Sequence, residues 1–211
     1  MSISISDFAQ KVTLESVAGR FNRTNVEATF EQELKIAETL RNAGYDAGGN
    51  SSVFDAIVKF AGMVKHGKVR KGLFLIGPCG VGKSTGMEMV SALTGTMIVT
   101  AKALQQAYMD SPTGTEWENI CLARDYFGNP QPLIIDDIGS EDYPFFHYGS
   151  KVNVIGSALE YRYQALCRYG VWTAVTTNLS DEELRQRYGF RIDDRLNEMF
   201  YFCLVNGRSL R

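Results

Sequence analysis

The stretch Lys71–Thr85 reads KGLFLIGPCGVGKST. Leu73, Phe74, Leu75 and Ile76 form an unbroken apolar run, the pattern of a parallel strand covered on both faces. The run passes at once into Gly77, Pro78, Cys79, Gly80, Val81, Gly82, Lys83, Ser84 and Thr85, which fits G-x-x-x-x-G-K-[ST] at Gly77, Gly82, Lys83 and Ser84. A buried strand before the motif and a helix-competent segment after it separate a phosphate-binding loop from an ordinary glycine-rich turn. In such a loop the glycines let backbone N–H groups wrap a polyphosphate, and Lys83 neutralises the β- and γ-phosphates. Ser84 offers a hydroxyl to Mg²⁺. The expectation is a nucleoside triphosphate site with Mg²⁺ as a cofactor.

Composition bounds what surrounds this loop. A chain of 211 residues at 45% hydrophobic content suits one α/β domain with a modest appendage. A formal charge of −2 excludes a uniformly basic nucleic-acid binder, while leaving room for a local basic patch. Cys79, Cys121, Cys167 and Cys203 are scattered without C-x-x-C spacing and read as reduced thiols of a cytoplasmic protein. The N-terminus lacks the basic-then-apolar order of a signal peptide, and no apolar run has membrane-spanning length. No membrane partner is expected.

Upstream of the loop, Phe30, Leu34, Ala37 and Leu40 recur at helical spacing among charged residues, predicting an amphipathic helix over Val26–Ala43. Gly48, Gly49, Asn50 and Ser51 read as a hinge, and Ser51 or Ser52 as the cap of a second helix ending near Gly67. This divides the chain into residues 1–50, a short helical, partner-binding segment, and residues 51–211, a nucleotide-binding domain. The alternation of Met1–Gly19 assigns no job.

Downstream, a helix to about Leu93 and a β-branched strand Thr96–Thr100 are followed by helical stretches Ala101–Asp110 and Thr115–Phe127, split by Ser111–Gly114. The strand Pro132–Asp136 ends in paired carboxylates. Asp136 at its C-terminal edge is placed to hold Mg²⁺, and Asp137 to polarise an attacking water; the competing reading is a solvated Asp-Asp turn. Gly139–Lys151 reads as a polar and aromatic loop, Val152–Tyr169 as a helix, and Val171–Thr176 as a strand whose end sets Asn178 beside the acidic pair. Ser180 caps a further helix, Arg191–Phe200 forms another, and Tyr201–Val205 is a last strand, with Arg185, Arg187, Arg191, Arg195, Arg208 and Arg211 crowding this tail.

GPCGVGKS, LIIDDIGSE, VTTNLSDEEL, RYGFRIDDRLNEMF and the terminal NGRSLR, in this order and spacing, resemble the DnaC/IstB-like family of AAA+ ATPases, which includes replicative helicase loaders and the ATPase partners of certain transposases. The resemblance covers Ser52–Arg211. It implies an α/β P-loop AAA+ fold: a three-layer αβα sandwich around a five-stranded parallel sheet, with the extra helix of the initiator clade between the second and third strands. It also implies that Lys83 and Ser84 bind nucleotide, Asp136 and Asp137 form the acidic pair, Asn178 is the sensor, and Arg195, or Arg191 one turn away, acts in trans on a neighbour's γ-phosphate. An intrachain pair of Arg195 with Asp193, Asp194 or Glu198 is the alternative. The sequence departs from the family where Asp137 replaces the commoner Glu, which implies slow hydrolysis, and in ending at Arg211 without a helical lid domain.

Three function classes follow. The first is an ATP-dependent helicase loader, or transposition regulator, that oligomerises with itself on single- or double-stranded DNA and engages a replicative helicase or a transposase. Lys59, Lys65, Lys68, Arg70 and Lys71 supply a candidate basic surface, or simply a solvated helix end; Lys102, Tyr108 and Trp117 are further candidates for DNA, the two aromatics also reading as core. The second is a small-molecule P-loop kinase, for which no arginine-bearing lid is found. The third is a weakly hydrolysing scaffold held together by ATP.

Overall fold

The computed structural model describes residues 25–111 and 113–205, and for residues 190–193 the backbone alone. Helix α1 (Phe30–Asn42) starts at a capping box in which Thr29 and Gln32 satisfy each other's backbone N–H groups, and buries Ile36, Ala37 and Leu40. Helix α2 (Ser51–His66) starts at Asn50, whose side chain accepts from Val53 N. The core of the domain then alternates strands and helices: β1 (Gly72–Ile76), α3 (Lys83–Thr94), β2 (Met97–Thr100), α4 (Ala101–Asp110), α5 (Thr115–Leu122), β3 (Leu133–Ile138), β4 (Phe145–His147), β5 (Ser150–Val152), α6 (Val154–Tyr169), β6 (Thr173–Thr177), α7 (Asp181–Tyr188), α8 (Phe190–Met199) and β7 (Phe200–Leu204).

Five of these strands form one parallel sheet in the order β2-β3-β6-β1-β7. The period-two alternation of each strand divides its side chains between two cores. Leu73, Leu75, Ile134 and Ala174 pack with α1, α2 and α3 on one face; Phe74, Leu133, Ile135 and Val175 pack with α4, α5, α6 and α8 on the other. This is the expected three-layer sandwich.

Three expectations change. The hinge at Gly48–Ser51 is a 3₁₀ turn tied by Asp46 Oδ1 to Gly48 N at 2.7 Å, and α1 on its far side shares one core with Leu75 and Val81, so no break in packing occurs at residue 50. The helix expected to reach Phe127 stops at Leu122, because Ala123 enters the left-handed region at φ 46° and a turn built on Asp125 follows. The loop Gly139–Lys151 holds the antiparallel hairpin β4–β5.

Arg162 is fully buried on α6 and donates to Thr173 Oγ1 (2.7 Å), Trp172 O (2.8 Å) and Cys121 O (3.4 Å). Burial pulls its guanidinium down to about 10, and these acceptors compensate the desolvated charge while joining α5, α6 and β6.

Candidate functional site

The phosphate loop connects β1 to α3. Gly80 (φ 83°) and Gly82 (φ 89°) take the left-handed backbone that side chains resist, and Gly82 leads directly into α3 without a side-chain cap. The first N–H groups of α3, at Lys83, Ser84 and Thr85, thus lack intrahelical acceptors, leaving a helix N-terminus suited to anions. A cleft of about 300 Å³ opens here, lined by Cys79, Gly80, Gly82, Lys83, Ser84, Thr85 and Asp137. Of the remaining loop residues, Val81 is core, whereas Gly77 and Pro78 accept hydrogen bonds from Lys83 Nζ through their carbonyls, at 2.7 and 2.8 Å. Burial lowers the Lys83 ammonium from its usual value, opposed by the charges of Cys79, Asp137 and Asp136.

The loop is braced from the N-terminal side. Tyr45 Oη donates to Gly82 O at 3.3 Å, and a Cβ on Gly86 would fall 2.4 Å from that hydroxyl and 2.7 Å from Ile57 Cγ1. Tyr45 is a contact that sequence reading did not single out; its nearest signal was position, just after the predicted first helix.

The acidic pair sits on a register shift between β3 and β6. Ile135 pairs with Val175, but Ile138 pairs with Thr177, so the stretch Asp136–Asp137 bulges opposite Thr176. Asp137 adopts φ 55°, a conformation that costs roughly 1–2 kcal/mol for an ordinary residue and is more accessible to Asp. Thr176 ties the bulge: its hydroxyl donates to Asp136 Oδ1 at 2.5 Å and accepts from Asp137 N at 2.8 Å. Of the two carboxylates, Asp137 lines the cleft, while Asp136 is buried beside Thr176 with one oxygen already bonded. Thr176 was read only as a strand residue; its role became visible with the register.

Asn178, just past β6, donates from Nδ2 to Cys79 Sγ at 3.2 Å, so the sensor candidate touches the phosphate loop. Arg195 on α8 pairs with Glu160 Oε1 at 2.5 Å and lies 5.2 Å above the Tyr163 ring. That partner is on α6, not among the acids considered near it in sequence. The Arg191 side chain, Arg208 and Arg211 lie outside the described residues, as do residues 1–24. Trp117 is buried and stacks edge-on with Tyr108 at 5.3 Å, which makes it core and withdraws it as a DNA-stacking ring.

The Ser84 hydroxyl at the cleft and the Asp136 carboxylate buried behind it are hard oxygen donors of the kind Mg²⁺ takes together with phosphate oxygens. The residues fit the ion. Among the described residues no helix is long and apolar enough to cross a membrane.

Sheet order, strand-loop-helix phosphate site and acidic strand end define a P-loop AAA+ fold. The crystal structure of DnaI shares it at a TM-score of 0.51 and 21% identity, over 84% of this chain and 82% of that one. AMPPCP-bound DnaA from Aquifex aeolicus shares it at a TM-score of 0.52 and 13% identity, over 75% of this chain and 47% of that one. The replication initiator DnaA bound to AMPPCP and single-stranded DNA gives 0.51 and 13%, over 75% and 45%. At these identities the shared property is the fold, and it is the fold that the resemblance of the motifs to the DnaC/IstB-like AAA+ family implies. No protein-family model and no curated protein matches the chain.

Proposed function

We propose that this chain is an ATP-binding and slowly hydrolysing AAA+ protein that assembles with itself on DNA, and that it serves as a replicative helicase loader. The observation that carries the reading is the convergence of Lys83, Ser84 and Asp137 on one cleft at a helix N-terminus, with Asn178 bonded to Cys79 of the same loop. The DnaC/IstB-like motifs and the fold shared with DnaI support the replication assignment. A transposase-partner ATPase uses the same domain, and the partner would be chosen through residues 1–50.

In this reading the backbone N–H groups of residues 80–85 and the Lys83 ammonium hold the triphosphate, Lys83 exchanging the Gly77 and Pro78 carbonyls for phosphate oxygens. Ser84 and Asp136 would hold Mg²⁺, and the ion would supply charge neutralisation to the bound triphosphate. Asp137 accepts a proton from the attacking water, and Asn178 orients that water by its amide. Arg195 leaves Glu160 and meets the phosphate of an adjacent protomer. Binding of a fluorescent ATP analogue and phosphate release test this: wild type should do both, and Lys83→Ala neither. Unchanged MgATP affinity in Lys83→Ala would refute the site.

A further inference from the structure

Helix α1 ends in a Schellman motif. Gly44 takes φ 81° and its N–H donates to Arg41 O, while the Tyr45 N–H reaches back to Leu40 O, both at 2.9 Å. The two bonds tie Tyr45 to the last turn of α1, so the residue moves with the helix although it lies beyond its end. Its ring is buried, packs in one core with Ile36 and Leu40, and stacks on Phe54 of α2 at 6.0 Å and 26°. Arg41 Cζ lies 4.8 Å from the centroid of the same Phe54 ring, which ties α1 and α2 together at this point.

The atom that the Tyr45 hydroxyl meets decides what the contact can do. Gly82 O accepts from Gly86 N at 2.9 Å and from Tyr45 Oη at 3.3 Å. A peptide unit is planar and turns as one plate, so holding this carbonyl from two sides also orients the Lys83 N–H at its other edge. That N–H is one of the donors left without an intrahelical acceptor at the head of α3. Gly82 cannot hold the orientation by itself, because a glycine at φ 89° has other conformations open to it. Two neighbours serve the contact. Gly86 leaves the room that the hydroxyl occupies, and Ala47 lies close against Gly82, where a Cβ would fall 3.4 Å from the Ala47 Cα. Burial, with the Asp46 charge beside it, pushes the Tyr45 phenol above its usual value, so it stays protonated and donates.

We infer that Tyr45 is a positioning residue through which α1 and the phosphate loop control each other: whatever steadies α1 raises affinity for the triphosphate, and bound triphosphate steadies α1. This rests on the proposal that the loop binds ATP, and it adds a route from residues 1–50, where the partner would be chosen, to the nucleotide. The Tyr45–Gly82 bond exists before nucleotide arrives, so it acts by preorganisation. Without it the free chain populates loop conformers that hold phosphate less well, and affinity falls with the share of competent chains. Reciprocity of coupled equilibria then requires bound nucleotide to favour the braced state. Helix α1 also has a surface on which such control can act, since Phe30 and Leu34, one turn apart on its outer side, are 76% and 46% exposed.

The test joins a hydroxyl deletion to hydrogen–deuterium exchange, both on the full chain. Tyr45→Phe keeps the ring and the backbone bonds of the motif, and it should weaken binding of a fluorescent MgATP analogue about fivefold, the factor that one neutral hydrogen bond sustains. The single-turnover rate of phosphate release at saturating MgATP should stay within about twofold of wild type, because the loss lies in affinity alone. In wild type, saturating MgATP should slow amide exchange at residues 40–45 by about the same fivefold factor. Helix α5, packed on the other face of the sheet, should show no such change, and Tyr45→Phe should abolish the effect at residues 40–45. If wild type binds no MgATP, the proposed function and this coupling fall together. If wild type and Tyr45→Phe bind MgATP equally, the nucleotide site stands and the coupling is refuted. A rate that falls as far as the affinity would refute it too, as would protection spread evenly over α1 and α5, since both mark a general change in the fold. Should Tyr45→Phe fail to fold, the exchange pattern of wild type decides, and no protection at residues 40–45 overturns the inference.

Discussion

Replacing Thr176 by Val tests whether the bulge at the acidic pair is functional. Valine keeps the shape and burial of this fully enclosed side chain but removes both bonds of its hydroxyl, to Asp136 Oδ1 and from Asp137 N. A hydrogen bond to a charged group contributes about 1.5–3 kcal/mol and a neutral one about 1 kcal/mol, so the substitution should cost roughly 2.5–4 kcal/mol in urea denaturation. The Asp137 backbone, already at φ 55°, then loses the group that fixes it. We expect the rate of phosphate release to fall about 10- to 100-fold, equivalent to roughly 1.4–2.7 kcal/mol of activation free energy. Affinity for MgATP should stay within about threefold of wild type, because Thr176 does not line the cleft. Thr176→Ser keeps both bonds and should recover most of the rate, although it loses a buried methyl. A rate for Thr176→Val within about twofold of wild type, or equal losses for Val and Ser, would refute the reasoning.

Asp137→Asn should retain MgATP binding and lose hydrolysis, as measured by single-turnover phosphate release. Mixing Arg195→Ala with Lys83→Ala should restore part of the ATPase activity that neither shows alone, and mixed oligomers that form but stay inactive would give Arg195 a purely structural place beside Glu160. Cys79 is exposed in the phosphate loop whereas Cys121 is buried, so alkylation followed by mass spectrometry should label Cys79 first, and saturating MgATP should slow it. Burial pushes the Cys121 thiol from 9.0 up to about 12; the unfolded chain releases that proton first, so its contribution to stability is complete below pH 9.0 and is lost as pH rises toward 12. Unfolding midpoints across that window should fall less steeply for Cys121→Ala.

The fold was legible because its signals are local. An apolar run ending in a glycine-rich loop needs no knowledge of distant residues, and neither does a run ending in two aspartates; strung in order, such units allow few topologies. The sheet and its helices followed. What the sequence did not disclose depends on pairing between segments far apart in the chain. Thr176 looks like any β-branched strand residue until the β3–β6 register sets it opposite Asp136 and Asp137. Arg162 occupies a helix face that reads as amphipathic, and only the approach of Cys121, Trp172 and Thr173 explains how its charge is buried. The hairpin failed for a different reason: its strands are three residues each, too short to show periodicity against an aromatic-rich loop. Arg195 was considered against acids near it in sequence, while its partner Glu160 arrives from α6.

That partnership bears on how a shared site would work. The Arg195–Glu160 pair is half exposed, with side chains 30% and 42% accessible, and exposed ion pairs contribute only about 0–1 kcal/mol. Leaving Glu160 therefore costs the arginine little, while the Tyr163 ring beneath the guanidinium limits the positions it samples. Lys83 is the opposite case: it is buried at 7% exposure, and an ammonium there must keep acceptors, which the Gly77 and Pro78 carbonyls now supply. One cation is thus fixed in the cleft, and the other, held in an exposed pair, is not part of the cleft's lining. A triphosphate carries more negative charge than Lys83 and one Mg²⁺ neutralise, and the charge spreads over the equatorial oxygens in the transition state, so a further cation has most effect there. An arginine that is cheap to release would suit arrival from a neighbouring protomer, and hydrolysis would then be coupled to assembly.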